Sequence, residues 1–257
     1  MGRLTLVEDA ALAADMVREA GQLAAQMRGE GLRTETKSSL TDVVTAADRA
    51  AERLITDHLT AFRPEDGVLG EEGAAKDGSS GRTWVIDPVD GTYNYVQGLS
   101  WWCSAVALVE GDDVVLGAVY HPHDDLLYVG GPDLAPTRNG ELIAPLGDVP
   151  LSEACVATYL HPPHHATAVG DAYRRMAAEA ATLRLLGSGT LEAMAVAQGQ
   201  LHLTAQHSVP AWDRLPGEAI IRGVGGVVRT THAAGVEWTA MGAPTAVHDA
   251  LAAFADG

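Results

Sequence analysis

Two carboxylates three residues apart, Asp87 and Asp90, close a short apolar run in the stretch Trp84-Val85-Ile86-Asp87-Pro88-Val89-Asp90-Gly91-Thr92-Tyr93-Asn94-Tyr95. The run Trp84 to Ile86 suits a strand buried on both faces. Two acids at the end of such a strand do not both stay ionised without compensation. A hard cation compensates most simply, because carboxylate oxygens are its natural ligands. A surface turn rich in Asp and Gly fits the same residues, and the stretch alone leaves both readings open. More acids stand at other element ends. Glu71-Glu72 follows Val68-Leu69-Gly70, Asp213 opens Trp212-Asp213-Arg214-Leu215-Pro216, and Asp48 and Glu52 lie one helical turn apart. In isolation, Asp48 and Glu52 read as acids near a positive helix N-terminus.

The elements that would carry these acids follow from periodicity. Leu12, Met16, Ala20, Leu23 and Met27 mark one face of a helix from about Leu6 to Arg28. A polar segment, Thr34 to Asp42, has little to bury. A second helix has Ala47, Ala51, Leu54, Ile55, Leu59 and Phe62 on its apolar face. Pro88 lacks an N–H and fixes its own φ, so the strand from Trp84 is expected to stop there. Asp90-Gly91 should turn the chain, with Thr92 or Asn94 capping a following helix. The Gly73 to Gly81 loop reads as flexible. Strand runs from Trp101 to Val109 and Val114 to Tyr120 flank Gly111-Asp112-Asp113 as a hairpin, in a largely antiparallel region. After Pro150 strands and helices alternate, and Gly187-Ser188-Gly189-Thr190 opens one of the helices. The expected division is therefore 1–150, with a helix pair and most of the acids, and 151–257, an α/β part carrying Asp213. The two would pack as one unit. Pro216 is placed in the first turn of the Asp213 helix.

Composition narrows the partners. At 257 residues and a net charge of −17, the chain argues against nucleic acid or an anionic membrane as its main partner. An anionic substrate would then need local positive charge, which a cation would supply. Cys103 and Cys155 sit in apolar surroundings and read as buried free thiols, consistent with a reducing cytoplasm. No run approaches the ~20 apolar residues of a membrane span, and the N-terminus turns acidic at once, without the apolar core of a signal peptide. The clusters His121-Pro122-His123 and His161-Pro162-Pro163-His164-His165 match no zinc spacing and read as exposed loops.

Taken in order, Gly-Glu-Glu, Asp-Pro-Val-Asp-Gly-Thr-Tyr-Asn-Tyr and Trp-Asp-Arg-Leu-Pro-Gly-Glu-Ala resemble the inositol monophosphatase family, the magnesium-dependent, lithium-sensitive sugar phosphatases. The resemblance covers nearly the whole chain. It implies a layered α+β fold of alternating α-β-α-β-α layers, a homodimer, and hydrolysis of a small phosphate monoester. It also implies two or three Mg²⁺ per site. Glu71, Asp87 and the Val89 carbonyl would hold the first ion, Asp87, Asp90 and Asp213 the second, and Glu71 would help with a third. Gly91 and Thr92 would offer backbone N–H groups to the phosphate. Asp48 and Thr92 would form the pair that polarises the attacking water. Lys37 would be a loop contact near the metals. Four carboxylates and a phosphate dianion total about −6, which three Mg²⁺ balance.

Substrate choice rests on the other side of the site. Gly187, Ser188 and Gly189 would line the pocket through backbone groups, with Asp90, Asp213 and Gln206. Inositol-specific members carry an acid where this chain has Gln206, so a neutral donor–acceptor replaces a charged acceptor. Inositol 1-phosphate or a related polyol phosphate is the expected substrate. Histidinol phosphate, fructose 1,6-bisphosphate and a 3′-phosphoadenosine nucleotide are the alternatives within the family. A regulator without catalytic activity is a further alternative, opposed by the presence of every expected metal-ligand position.

Overall fold

The computed structural model describes residues 3–31, 34–36 and 43–255. Its first layer is α1 (Arg3–Glu30) and α2 (Ala46–Phe62). These helices bury Met16, Val17 and Ala20 from α1, with Ala51, Ile55 and Leu59 from α2, against Trp84, Ile86, Val106, Leu108 and Leu116. The latter residues belong to a sheet of eight strands. In chain order they are β3 (Gly67–Gly70), β4 (Ala75–Lys76), β5 (Arg82–Asp90), β6 (Cys103–Glu110), β7 (Asp113–His121), β8 (Leu126–Gly131), β9 (Leu134–Arg138) and β10 (Glu141–Leu142). In space the order is β10-β9-β8-β7-β6-β5-β3-β4. Every pair is antiparallel except β3 with β5, which run parallel. A separate two-stranded ribbon joins β1 (Thr34–Thr36) to β2 (Val43–Thr45).

The second sheet, β12-β11-β13-β15-β14, is built from β11 (Cys155–Thr158), β12 (Thr182–Arg184), β13 (Leu203–His207), β14 (Val227–Ala233) and β15 (Val236–Gly242). Between the two sheets lie α5 (Gly189–Ala197) and α6 (Ala211–Gly223). Thr190 through Ala197 are all buried, as expected of a helix covered on every side. Outside the second sheet, α4 (Ala168–Glu179) and α7 (Pro244–Ala255) pack Met176, Val247 and Phe254 over Leu203 and Trp238. The Trp238 and Phe254 rings stack with centroids 4.0 Å apart. The layers are thus α-β-α-β-α, as the resemblance implied.

Several local expectations change. β5 does not stop at Pro88 but continues to Asp90, through a break in its pairing with β6 between Asp87 and Asp90. At that break no ladder partner asks for the N–H that proline lacks, so the strand tolerates it. The Gly73 to Gly81 stretch carries β4, paired to β3 at Val68 and Leu69, and the Ser79 and Ser80 N–H groups bond the Glu65 carbonyl. His121 is no loop residue. It ends β7, is 4% exposed, and its Nε2 lies 2.8 Å from the Ser100 carbonyl. Pro216 sits inside α6 rather than in its first turn, because the helix already begins at Ala211. There the chain runs close to β7: a Cβ on Gly117 would meet the Pro216 carbonyl at 2.3 Å. Of the polar segment from Thr34 to Asp42, only Thr34–Thr36 is described. Lys37 lies outside the described residues.

Candidate active site

Asp87, Val89 and Asp90 lie at the C-terminal end of β5, an interior strand of the large sheet, and all three are buried. Asp87 is 1% exposed, and its Oδ1 has no hydrogen-bond partner among the described residues. Burial pushes its carboxyl well above the usual range, and Glu71, Asp90, Asp213 and Asp48 raise it further. The expected acids therefore converge electrostatically on one residue, although they come from β5, α2, α6 and the turn after β3. A buried carboxylate oxygen without a donor, among four other acids, is an arrangement a hard cation relieves. The donor set is all oxygen, which suits Mg²⁺ over softer metals. Among the described residues no three His, Cys, Asp or Glu side chains already stand as a ready-made ligand set.

Each acid has its own support. Glu52 is 5% exposed on α2, and its two carboxylate oxygens accept from Glu72 N at 2.8 Å and Ala74 N at 2.9 Å. It thus ties down the turn that presents Glu71. Gly70 is required beside it, since a Cβ there would lie 2.1 Å from a Glu52 oxygen. Asp90 accepts at Oδ2 from the Ser188 hydroxyl and Thr190 N, each at 2.7 Å, and from the Cys103 thiol at 3.8 Å. Burial raises its pKa, and the Ser188 and Thr190 bonds work against that rise. Cys103 and Cys155 are both free thiols, and burial beside Asp90 and Asp87 pushes the Cys103 thiol well up.

Thr92 and Asp48 lie within hydrogen-bond reach of each other. The Thr92 hydroxyl lies 3.2 Å from Asp48 Oδ1 and 2.9 Å from the Val89 carbonyl. Asp48 is fully buried in the first turn of α2. Thr92 opens the short helix α3 (Thr92–Val96), whose N-cap is Gly91 in the left-handed region at φ 88°, with no side-chain cap. The cap expected from Thr92 or Asn94 is therefore absent. Asn94 instead donates to the carbonyls of Trp101 and Leu186, at 2.8 and 2.7 Å. The bond to Leu186 pins the Gly187 turn against α3. A Cβ at Gly91 would meet Gly187 O, Ser188 Cβ and Trp101 O, each at 3.1 Å, so both its φ and its surroundings call for glycine.

On the substrate side, Gly189, Gln206 and Asp213 line one small pocket with Arg214, Thr239 and Met241. Ser188 departs from the expectation of a backbone-only contact. It is 1% exposed, its hydroxyl donates to Asp90, and it caps α5 by accepting from Leu191 N. Charged and hydroxyl partners such as Glu52, Thr190 and Glu192 escape a sequence reading because each bonds groups outside its own element. The one signal was the Asp48–Glu52 pair, spaced for one face of α2.

The sequence pattern of the inositol monophosphatase family matches residues 6–253. The chain belongs to the inositol monophosphatase family. It is accordingly a phosphatase, a phosphoric monoester hydrolase. It is 32% identical over 214 residues to the fructose-1,6-bisphosphatase/inositol-1-monophosphatase of Thermotoga maritima, covering 83% of this chain and 81% of that protein. It is 30% identical over 227 residues to human inositol monophosphatase 2, covering 85% and 79%. Among solved structures, the Thermotoga maritima IMPase superposes with a TM-score of 0.84 at 27% identity, covering 96% of each chain. The Bartonella henselae extragenic suppressor protein suhB has the same fold, with a TM-score of 0.87 at 24% identity and coverage of 96% and 98%. No helix among the described residues is long and apolar enough to cross a membrane.

Proposed function

We propose that this phosphatase hydrolyses a small phosphate monoester, inositol 1-phosphate or a related polyol phosphate, with Mg²⁺ as its cofactor. The observation that carries the reading is Asp87: a buried carboxylate with an oxygen unpartnered among the described residues, its pKa raised by burial first and then by four further acids. Glu71, Asp87, the Val89 carbonyl, Asp90 and Asp213 would hold two to three ions. Bound there, the ions supply charge neutralisation for the phosphoryl oxygens and lower the pKa of water.

The protein's own part is positioning and proton transfer. The Gly91 and Thr92 N–H groups receive phosphate oxygens at the turn that the left-handed Gly91 makes possible. The Thr92 hydroxyl orients the attacking water, and Asp48, hydrogen-bonded to it, takes the proton. Lys37 belongs to the same reading as a loop contact. A second substrate, fructose 1,6-bisphosphate, is favoured by the double name of the Thermotoga maritima relative. The reading includes a homodimer, which sedimentation of the purified chain tests, and a cytoplasmic location.

The test is phosphate release from inositol 1-phosphate, fructose 1,6-bisphosphate, histidinol phosphate and the 3′-phosphoadenosine nucleotide, with Mg²⁺ and with EDTA. The expected result is release that EDTA abolishes, with a polyol or sugar phosphate turned over fastest. Release that proceeds equally in EDTA refutes the metal assignment.

A further inference from the structure

Glu192 has no part in the chemistry described above, yet it is 1% exposed in the helix that borders the pocket. Its Oε1 accepts from Leu186 N at 2.9 Å and Gly187 N at 3.2 Å. Its Oε2 accepts from Gln206 Nε2 at 3.1 Å. Three N–H donors thus converge on one carboxylate, and every one of them is served by an acceptor. Burial pushes the Glu192 pKa up to about 7, while these donors pull it down.

The bond from Gln206 fixes which way its amide points. With Nε2 on Glu192, the carbonyl Oε1 is left for the pocket, and it lies 4.0 Å from where a side chain on Gly189 would begin. The Asp213 carbonyl is at the same distance from that point, and it also accepts from the Thr190 hydroxyl at 3.3 Å. Glycine at 189 leaves the space between them unfilled. While Glu192 is ionised, above its pKa of about 7, a flipped amide would set the Gln206 carbonyl against the carboxylate, acceptor against acceptor, which is costly in a buried setting. The two atoms nearest that space, Gln206 Oε1 and the Asp213 carbonyl, are therefore both acceptors, although Arg214, Thr204 and Thr239 bring donors elsewhere in the lining.

We propose that Glu192 is a positioning residue that sets the hydrogen-bonding polarity of the Gln206 side of this pocket. By holding the Gln206 amide it selects phosphate esters whose alcohol carries a hydrogen-bond donor, a hydroxyl or an ammonium. The inference rests on the phosphatase reading above and adds which leaving alcohol the site prefers. Glu192→Gln inverts the arrangement without changing its size. Leu186 N and Gly187 N keep the new side chain's carbonyl, so its NH₂ faces Gln206, which must flip and turn its own NH₂ into the pocket. In the double variant E192Q/Q206E the new amide donates to the new carboxylate, and an acceptor faces the pocket again.

The experiment compares kcat/KM for inositol 1-phosphate and for phosphoethanolamine, each divided by kcat/KM for p-nitrophenyl phosphate, which lacks a donor. In E192Q the ratio for a donor-bearing ester should fall about tenfold, equivalent to ~1.4 kcal/mol, through KM and not kcat. E192Q/Q206E should restore it. The ester whose ratio falls tells whether the donor is a hydroxyl or an ammonium. Ratios unchanged in E192Q, or a double variant no better than E192Q, overturn the role of Glu192. Should E192Q fail to melt cooperatively, Glu192→Met takes its place, since it no longer holds the Gln206 amide: a fallen ratio supports the proposal, and an unchanged one overturns it. A wild-type chain that hydrolyses none of the three esters overturns the phosphatase reading as well.

Discussion

Replacing Asp87 by Asn should make the metal-free protein more stable while removing its response to Mg²⁺. Asp87 is 1% exposed, lacks a partner at Oδ1 among the described residues, and is pressed by Glu71, Asp90, Asp213 and Asp48. Asn keeps the shape, removes one charge from the cluster, and brings an NH₂ that acidic neighbours accept. Leaving a buried polar group unsatisfied costs about 1–3 kcal/mol. At roughly 2–4 °C per kcal/mol for a chain of this size, relief of that cost should raise the Tm in EDTA by roughly 2–12 °C. In the wild type, Mg²⁺ at a hundredfold excess over its Kd should add about 2.7 kcal/mol. The corresponding rise of roughly 5–10 °C should be largely lost in D87N. Differential scanning fluorimetry in EDTA and in Mg²⁺ reads all four Tm values. A D87N protein that melts below the wild type in EDTA, yet still shows the full Mg²⁺ shift, would refute the idea that Asp87 is a strained ligand awaiting a cation.

Two further outcomes follow from hydrogen bonds in the structure. Thr92→Val removes the hydroxyl that bonds Asp48 and the Val89 carbonyl at little change in volume. Stopped-assay kcat should fall by about a hundredfold or more, with Thr92→Ser recovering most of it, whereas equal activity in T92V and wild type excludes the Thr92–Asp48 pair from proton transfer. Glu192 should also leave a signature in the pH dependence of stability. Its folded pKa is raised from the model-compound value of 4.5 to about 7, so its contribution is present below 4.5 and is lost as pH rises through about 7. Urea denaturation should therefore show wild-type stability falling relative to E192Q across that window, by an amount on the order of a few kcal/mol. Parallel curves for the two proteins would show that Glu192 titrates alike in the folded and unfolded chain.

Much of this protein is local, and that part is legible from its residues. The face of α2, the apolar run into Asp87, the hairpin between β6 and β7, and the strand–helix alternation after Pro150 all arise from periods and turn residues set by near neighbours. The same holds for the acids at element ends, because a carboxylate after a buried run is conspicuous wherever the run later packs. Tertiary structure decided what those acids meet. Pro88 did not end β5, since only the pairing with β6 shows that its missing N–H falls in a gap. Asp90 is held by Ser188 and Thr190, about a hundred residues farther on, and the turn of Glu71 is held by Glu52 from another element. Glu192 is the extreme case. As a lone acid in an apolar helix it says nothing, and it acquires a purpose only when α5 and β13 bring it to Gln206. The sequence alone was enough to single out Glu71, Asp87, Asp90 and Asp213 as candidates for one cation site. Which way the Gln206 amide faces is decided by packing, because a hydrogen bond depends on two groups that the chain alone does not place side by side.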